Sequence, residues 1–227
     1  GKVPYCGLLH WKYPLTEWNA MTSQGKAAFI AACLVFALLC SPVIAQVEEG
    51  PQTAQAALTQ MREAADYDMP EARNTLVDDF GQDAVPLLVD AIPSIDPSES
   101  PAYLLNCIVA LGELKAKEGT DALLQQLKSS NMEVAYLAAE ALGKIWEGQT
   151  SANDTVRRVN AALLALLYSD LPSVAAYAPG IALASINSIP VQRPENLQPT
   201  ALIAEVDKWA NANADRLPPT DQQPWQL

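Results

Sequence analysis

The stretch Glu133-Val134-Ala135-Tyr136-Leu137-Ala138-Ala139-Glu140-Ala141-Leu142-Gly143-Lys144-Ile145-Trp146 decides the fold. Val134, Leu137, Ala138, Ala141, Leu142 and Ile145 recur at spacings of three and four, which sets them along one stripe of an α-helix. The stretch has an echo. Ala110-Leu111-Gly112-Glu113-Leu114 stands 31 residues before Ala141-Leu142-Gly143-Lys144-Ile145, and the stripe carries over to Tyr103, Asn106, Cys107, Ala110, Leu111 and Leu114. Only Asn106 departs in polarity. Asp79-Phe80-Gly81 stands a further 31 residues back, so Gly81, Gly112 and Gly143 read as one register. A glycine near the end of such a helix admits either a close neighbour or a left-handed exit.

A second helix is expected after each first one. Asp83-Ala84-Val85-Pro86-Leu87-Leu88 opens one, with the proline in the first turn where its missing N–H is harmless. Thr120-Asp121-Ala122-Leu123-Leu124 opens the next, with Thr120 or Asp121 placed to cap it. Asn153-Asp154-Thr155 fits the N-glycosylation pattern but reads here as the cap of a third, running through Val156, Val159, Leu163, Leu166 and Leu167. The unit is therefore a helical hairpin of roughly 31 to 40 residues. A fourth copy begins at Asp170-Leu171-Pro172-Ser173-Val174 and departs from the pattern at Pro179-Gly180, which should bend or end its helix. Helices from Thr53 to about Tyr67 and from Thr200 to about Ala212 cover the ends, the latter with Leu202, Val206, Trp209 and Ala210 on one side.

Val134, Ala138, Ala139, Ala141, Leu142, Gly143 and Ile145, followed in the second helix by an Ala84-Val85-Pro86-Leu87 pattern, resemble the HEAT repeat. The likeness is greatest to the short bacterial variety related to phycobilisome-lyase repeats. It is good from Glu71 to Ser169, loose to Ile189, and does not cover the ends. The resemblance implies an all-α fold, an α-α superhelix or solenoid of antiparallel helical hairpins, that binds partners along its inner surface. It does not imply lyase activity.

Half of the 227 residues are hydrophobic, enough for a sizeable core. Across the chain 26 acidic residues face 14 basic ones, for a net charge of -12, which argues against nucleic acid as the main partner. One histidine, His10, and four cysteines leave little from which to build a zinc site or a histidine-assisted nucleophile. With no Asp-x-Asp-x-Asp-Gly loop for calcium either, no metal or cofactor is expected.

From Ala27 to Val47 the chain carries no charge. Lys26 flanks this run, and Pro42 precedes Val43-Ile44-Ala45, whose small residues suit a signal peptidase, so cleavage after Ala45 would leave Gln46 first. The run is also long enough to serve as a membrane anchor. In either case Lys2, Lys12 and Lys26 sit on the retained side and the acidic bulk is exported. Lipoprotein processing fits poorly, because Cys33 lies too close to Lys26 and Leu39 is bulky beside Cys40. The expected organisation is an upstream segment at 1–20, a signal peptide or anchor at 21–45, a HEAT-like repeat domain at 46–192, and a Pro-containing tail with one capping helix at 193–227. Cleavage would remove Glu17, His10, three lysines and three cysteines, leaving 11 basic and 25 acidic residues with Cys107 as the one thiol. A disulfide framework within one chain is then excluded. The expected location is periplasmic or extracellular, or membrane-anchored with the C-terminal domain outside the cytoplasm.

Few residues invite a chemical role. Cys107 shares its register with Ala138, a small position facing a neighbour, so it reads as a buried, inert thiol. Asp78 and Asp79 are adjacent on a helix and point about 100° apart, so they read as solvated surface acids, as do Glu48 and Glu49 in a leader. Arg157 and Arg158 form an adjacent basic pair at the start of a second helix, the class that lines the inner surface in similar repeats. With Gln125, Gln126 and Lys128 on the preceding second helix they make a polar strip suited to a protein or peptide partner. Trp225 is a further docking candidate in the tail. The expected function is that of an exported, non-catalytic scaffold rather than an enzyme. The alternatives are a membrane-anchored accessory subunit of a larger complex, an enzyme with a carboxylate-based site, and a chaperone-like binder with an exposed apolar groove.

Overall fold

In the computed structural model of the chain, the described residues are 50–151, 153–169, 177–191 and 199–217. The export segment, the upstream residues, the Asp170–Val174 opening of the fourth copy, and the tail beyond Leu217 with Trp225 lie outside them. Chain contacts divide the molecule into two units, Gly1–Gly50 and Pro51–Leu227, and every helix named here belongs to the second.

Among the described residues all regular structure is helical. Thr53 opens α1 (Ala54–Glu63) by accepting a hydrogen bond from the Ala56 amide at 3.1 Å. This helix is shorter than the reading to Tyr67. Then come α2 (Met69–Thr75), which runs on through a π turn at Leu76–Phe80, and a 3₁₀ turn at Gly81–Ala84. Helix α3 (Val85–Ala91) has Pro86 in its first turn, as expected. The chain continues through α4 (Pro101–Glu113), α5 (Thr120–Gln126), α6 (Met132–Ile145) and α7 (Asp154–Leu167). Two further helices, α8 (Tyr177–Asn187) and α9 (Pro199–Ala212), precede a 3₁₀ turn at Ala214–Arg216. Asn153 caps α7 by accepting from the Val156 amide at 2.8 Å, so this triplet does serve as a helix cap.

Packing links alternate helices in order. The first helices lie one against the next, α2 on α4, α4 on α6 and α6 on α8, while each second helix leans on the first helix that follows it: α3 on α4, α5 on α6, α7 on α8. Most of the stripe read from sequence is core, for Cys107, Ala110 and Leu111 of α4 are fully buried, as are Val134, Ala138 and Leu142 of α6; Asn106, Leu114 and Leu137 are half-buried, and Leu104 and Ile108, outside the stripe, are fully buried too. Replacing one such leucine with alanine costs about 2–5 kcal/mol by transfer plus cavity. Two glycines set the spacing. A Cβ placed on Gly112 would stand 3.0 Å from both Cα and Cβ of Ala141, and one on Gly143 would stand 3.0 Å from the Cα of Ala182.

That second contact corrects the reading of the fourth copy. Ala182-Leu183-Ala184 takes the place that Ala141-Leu142-Gly143 holds one step earlier, with Leu183 fully buried like Leu142. Pro179 and Gly180 do not end the helix, which continues to Asn187. Gly180 gives room to Leu202, whose Cδ2 would be 2.7 Å from an added Cβ.

Gly81 takes the left-handed exit that the sequence reading allowed, but not the register of Gly112 and Gly143. It has φ +50° and open space around it, unlike the closely approached Gly112 and Gly143. The described residues with positive φ are Gly81, Lys115, Gly148 and Ser188, one after each first helix. Gly81 therefore belongs with Lys115, Gly148 and Ser188 as the exit of a first helix. At Lys115 the Ala116 amide bonds the Leu111 carbonyl at 3.1 Å, and at Ser188 the Ile189 amide bonds the Ala184 carbonyl at 3.0 Å. Both are the five-residue return of a Schellman ending, which a left-handed residue makes possible.

The cap expected of Thr120 or Asp121 is absent, since Gly119 occupies that place. Buried Thr120 instead donates to the Lys117 carbonyl at 2.6 Å and accepts from the Trp146 indole N–H at 3.1 Å. A tertiary partner has taken the hydroxyl away from the local helix end. Lys117 lies over the same indole at 5.1 Å from its centre.

Candidate functional site

The polar strip splits into two parts. On α5, Asp121 and Gln125 are one helical turn apart and both exposed, and Lys128, two residues beyond the helix end, is exposed as well. Gln126 is half-buried. On α7, Arg158 reaches across to α5, its Nη1 3.0 Å from Asp121 Oδ1. This ion pair joins exposed side chains, so it links the second helices at a single point and contributes at most about 1 kcal/mol. Arg157 turns elsewhere. Its Nη1 lies 3.3 Å from Asp154 Oδ1 and its Nε donates to the Asp215 carbonyl at 3.0 Å.

Around Asp215 the structure gathers residues that sequence reasoning did not single out. Arg216 is nine-tenths buried, with 8% of its surface exposed. Its Nη2 donates to the Gln149 carbonyl at 2.9 Å, its guanidinium lies 5.6 Å from the centre of the Trp209 ring, and its Nε has no hydrogen-bond partner. Burial draws its pKa below the usual guanidinium value, the neighbouring Asp215 acting in the opposite direction. The Arg216 carbonyl accepts from Asn160 Nδ2 at 3.3 Å. Fully buried Asn160 in turn pairs with Asn187 of α8, whose Nδ2 donates to Asn160 Oδ1 at 2.9 Å and to the Leu183 carbonyl at 3.0 Å. One signal in the sequence pointed here: Asn160 interrupts the apolar stripe of α7, as Asn106 does in α4. Asn106 is likewise taken up by a tertiary contact, accepting from Arg73 Nη1 of α2 at 3.3 Å. Arg73 Nε stands 3.5 Å from Glu113 Oε2, near enough for charge attraction without hydrogen-bond alignment.

A hollow of about 820 Å³ lies between α1 and α2, away from the strip, and Glu63, Asp68 and Glu71 line it with Thr53, Thr59 and Gln60. All three acids are exposed, so the hollow supplies hydrated carboxylates rather than a dry pocket in which one acid would be held protonated beside another. A smaller groove of about 260 Å³ runs between α6 and α8, edged by Tyr136 and Tyr177. Its two acids are already paired, Glu140 with Lys144 at 2.9 Å and Glu147 with Lys115 at 3.0 Å. No group of His, Cys, Asp and Glu among the described residues is arranged to hold a metal ion. No helix among the described residues is long and apolar enough to cross a membrane.

Cys107 has no exposed surface. Burial pushes its thiol up to about 12, and the hydrogen bond from Tyr103 offsets only part of that. A thiol so poorly ionised is a weak nucleophile. Compared with known proteins, the chain matches no family model, no curated protein and no solved structure.

Proposed function

We infer that this chain is an exported, HEAT-like helical scaffold that binds a protein or peptide partner through the polar face of its second helices. The observation that carries the reading is the repeated first-helix contact, Gly112 on Ala141 and then Gly143 on Ala182, with a left-handed exit after each first helix. A hairpin repeated with the same interface and the same exit is the pattern from which a solenoid grows. Such a stack presents its surface in a fixed shape, so little ordering entropy is lost when a partner docks. The face is composed for recognition rather than chemistry. Gln125 and Lys128 offer exposed amide and ammonium groups, and Arg158 reaches the same helix through its ion pair with Asp121.

Affinity capture from a native envelope fraction, followed by mass spectrometry, tests this. A protein retained by the wild-type chain and released by the double variant Gln125→Ala, Arg158→Glu supports the scaffold. If the wild type retains nothing at physiological salt, or if retention is indifferent to those substitutions, the proposed surface is wrong.

A further inference from the structure

A separate hollow, of about 310 Å³, opens between α1, α3 and the start of α4. Its lining combines apolar surface with charge. Leu58, Leu87 and Tyr103 supply the apolar part, and the Tyr103 hydroxyl is engaged by Cys107. Arg62 from α1 and Asp90 from α3 are the charged residues that line it, and both are exposed.

The two opposite charges share one hollow and do not meet. Among the described residues neither Arg62 nor Asp90 forms an ion pair, with the other or with a third group. Each stands in the last turn of its helix, α1 ending at Glu63 and α3 at Ala91. The negative end of a helix suits the cation of Arg62 and opposes the carboxylate of Asp90. Other exposed acids that line a hollow in this fold have found their cation, as Glu140 has in Lys144 and Glu147 in Lys115. Asp90 is left where its own helix end repels it and no described cation offsets it. The hollow therefore offers an ammonium one wall and a carboxylate the other, over an apolar floor.

We propose that this hollow binds a free α-amino acid with an aliphatic side chain. The α-carboxylate takes the forked donors of Arg62, the α-ammonium takes Asp90, and the side chain lies on Leu58 and Leu87. The size agrees, since about 310 Å³ stands at the lower limit of small-molecule pockets and suits a ligand no larger than a single residue. A ligand with one charge would leave the other wall unanswered, which favours a zwitterion over a fatty acid or an amine. The proposal is independent of the scaffold reading, for the polar strip runs over α5 and α7.

The test is calorimetric titration of the full chain with L-leucine, beside leucinamide, which lacks the carboxylate, and N-acetyl-leucine, which lacks the ammonium. Leucine should bind about tenfold or more tighter than either. Arg62→Gln should weaken leucine until it binds no better than leucinamide, and Asp90→Asn should weaken it until it binds no better than N-acetyl-leucine. Both side chains are exposed and unpaired, so the variants should keep the urea midpoint of the wild type. No heat of binding from leucine up to about 10 mM, well beyond a millimolar Kd, overturns the proposal. So does binding that either analogue matches in the wild type, or that survives both substitutions.

Discussion

Gly112 of α4 meets Ala141 of α6 backbone to backbone, leaving 3.0 Å where the glycine would carry a Cβ. Most helix pairs are spaced by side chains, and this pair is spaced by the lack of one. Alanine is the better helix former by about 1 kcal/mol, yet overpacking against a neighbour's main chain costs about 1–3 kcal/mol.

Gly112→Ala is therefore expected to destabilise the fold by about 1 kcal/mol net. Ala141→Gly should itself cost about 1 kcal/mol, and the double variant should lose less than the sum because the second glycine makes room from the other side. Urea midpoints of the two single variants and the double variant check this, and additive losses would mean that the two residues do not limit each other.

Ser188, at φ +52°, occupies a left-handed exit that glycine fills without strain. Ser188→Gly should raise stability by about 0.5–1 kcal/mol. Gly81, at φ +50° and ψ -124°, lies where even asparagine rarely goes. Gly81→Ala should cost about 1–3 kcal/mol despite the open space around it. Chemical denaturation measures both, and equal and opposite signs are not required for either to hold.

The buried amide pair gives a third test. Asn160→Ala strands the Asn187 amide and the Arg216 carbonyl, and a loss of about 2–3 kcal/mol is expected. Asn187→Ala should cost a similar amount. The double variant should lose less than the sum, because each single change already leaves the other partner unmatched.

Burial of Cys107 predicts a direction with pH. Below the ordinary thiol value both folded and unfolded chains hold the proton and this group gives no pH dependence. Above it the unfolded chain releases the proton while the folded chain keeps it, so the stability it contributes is lost progressively as pH rises towards about 12. Tyr103, raised by burial, acts in the same direction. Unfolding free energies between about pH 8 and about pH 11 should fall less steeply in Cys107→Ala than in wild type. Peptide-resolved thiol labelling at neutral pH should leave Cys107 unmodified until the chain is unfolded.

The helical content and the apolar stripes were legible in the sequence because they are periodic and local. Val134, Leu142, Leu111 and Cys107 sit where a period of 3.6 puts them. The fourth first helix was harder to read, since Ala184 replaces the glycine and the spacing grows from 31 to 41 residues between Ala141 and Ala182. Gly81 misled for a related reason: residue type alone does not distinguish a glycine that admits a neighbour from one that turns the chain. Thr120 and Arg216 were illegible because Trp146 and Gln149 become their partners only once distant segments fold together. The strip was found as a set of residues but not as a geometry, for nothing local tells that Arg158 goes to Asp121 while Arg157 goes to Asp215.

Helix α7 has 14 residues where α5 has 7, a difference of about 10 Å in length. Arg158 of the longer rod reaches Asp121 near the start of the shorter one. A visitor touching both meets rods of unequal length, which suits a pliant strand better than a flat, rigid surface.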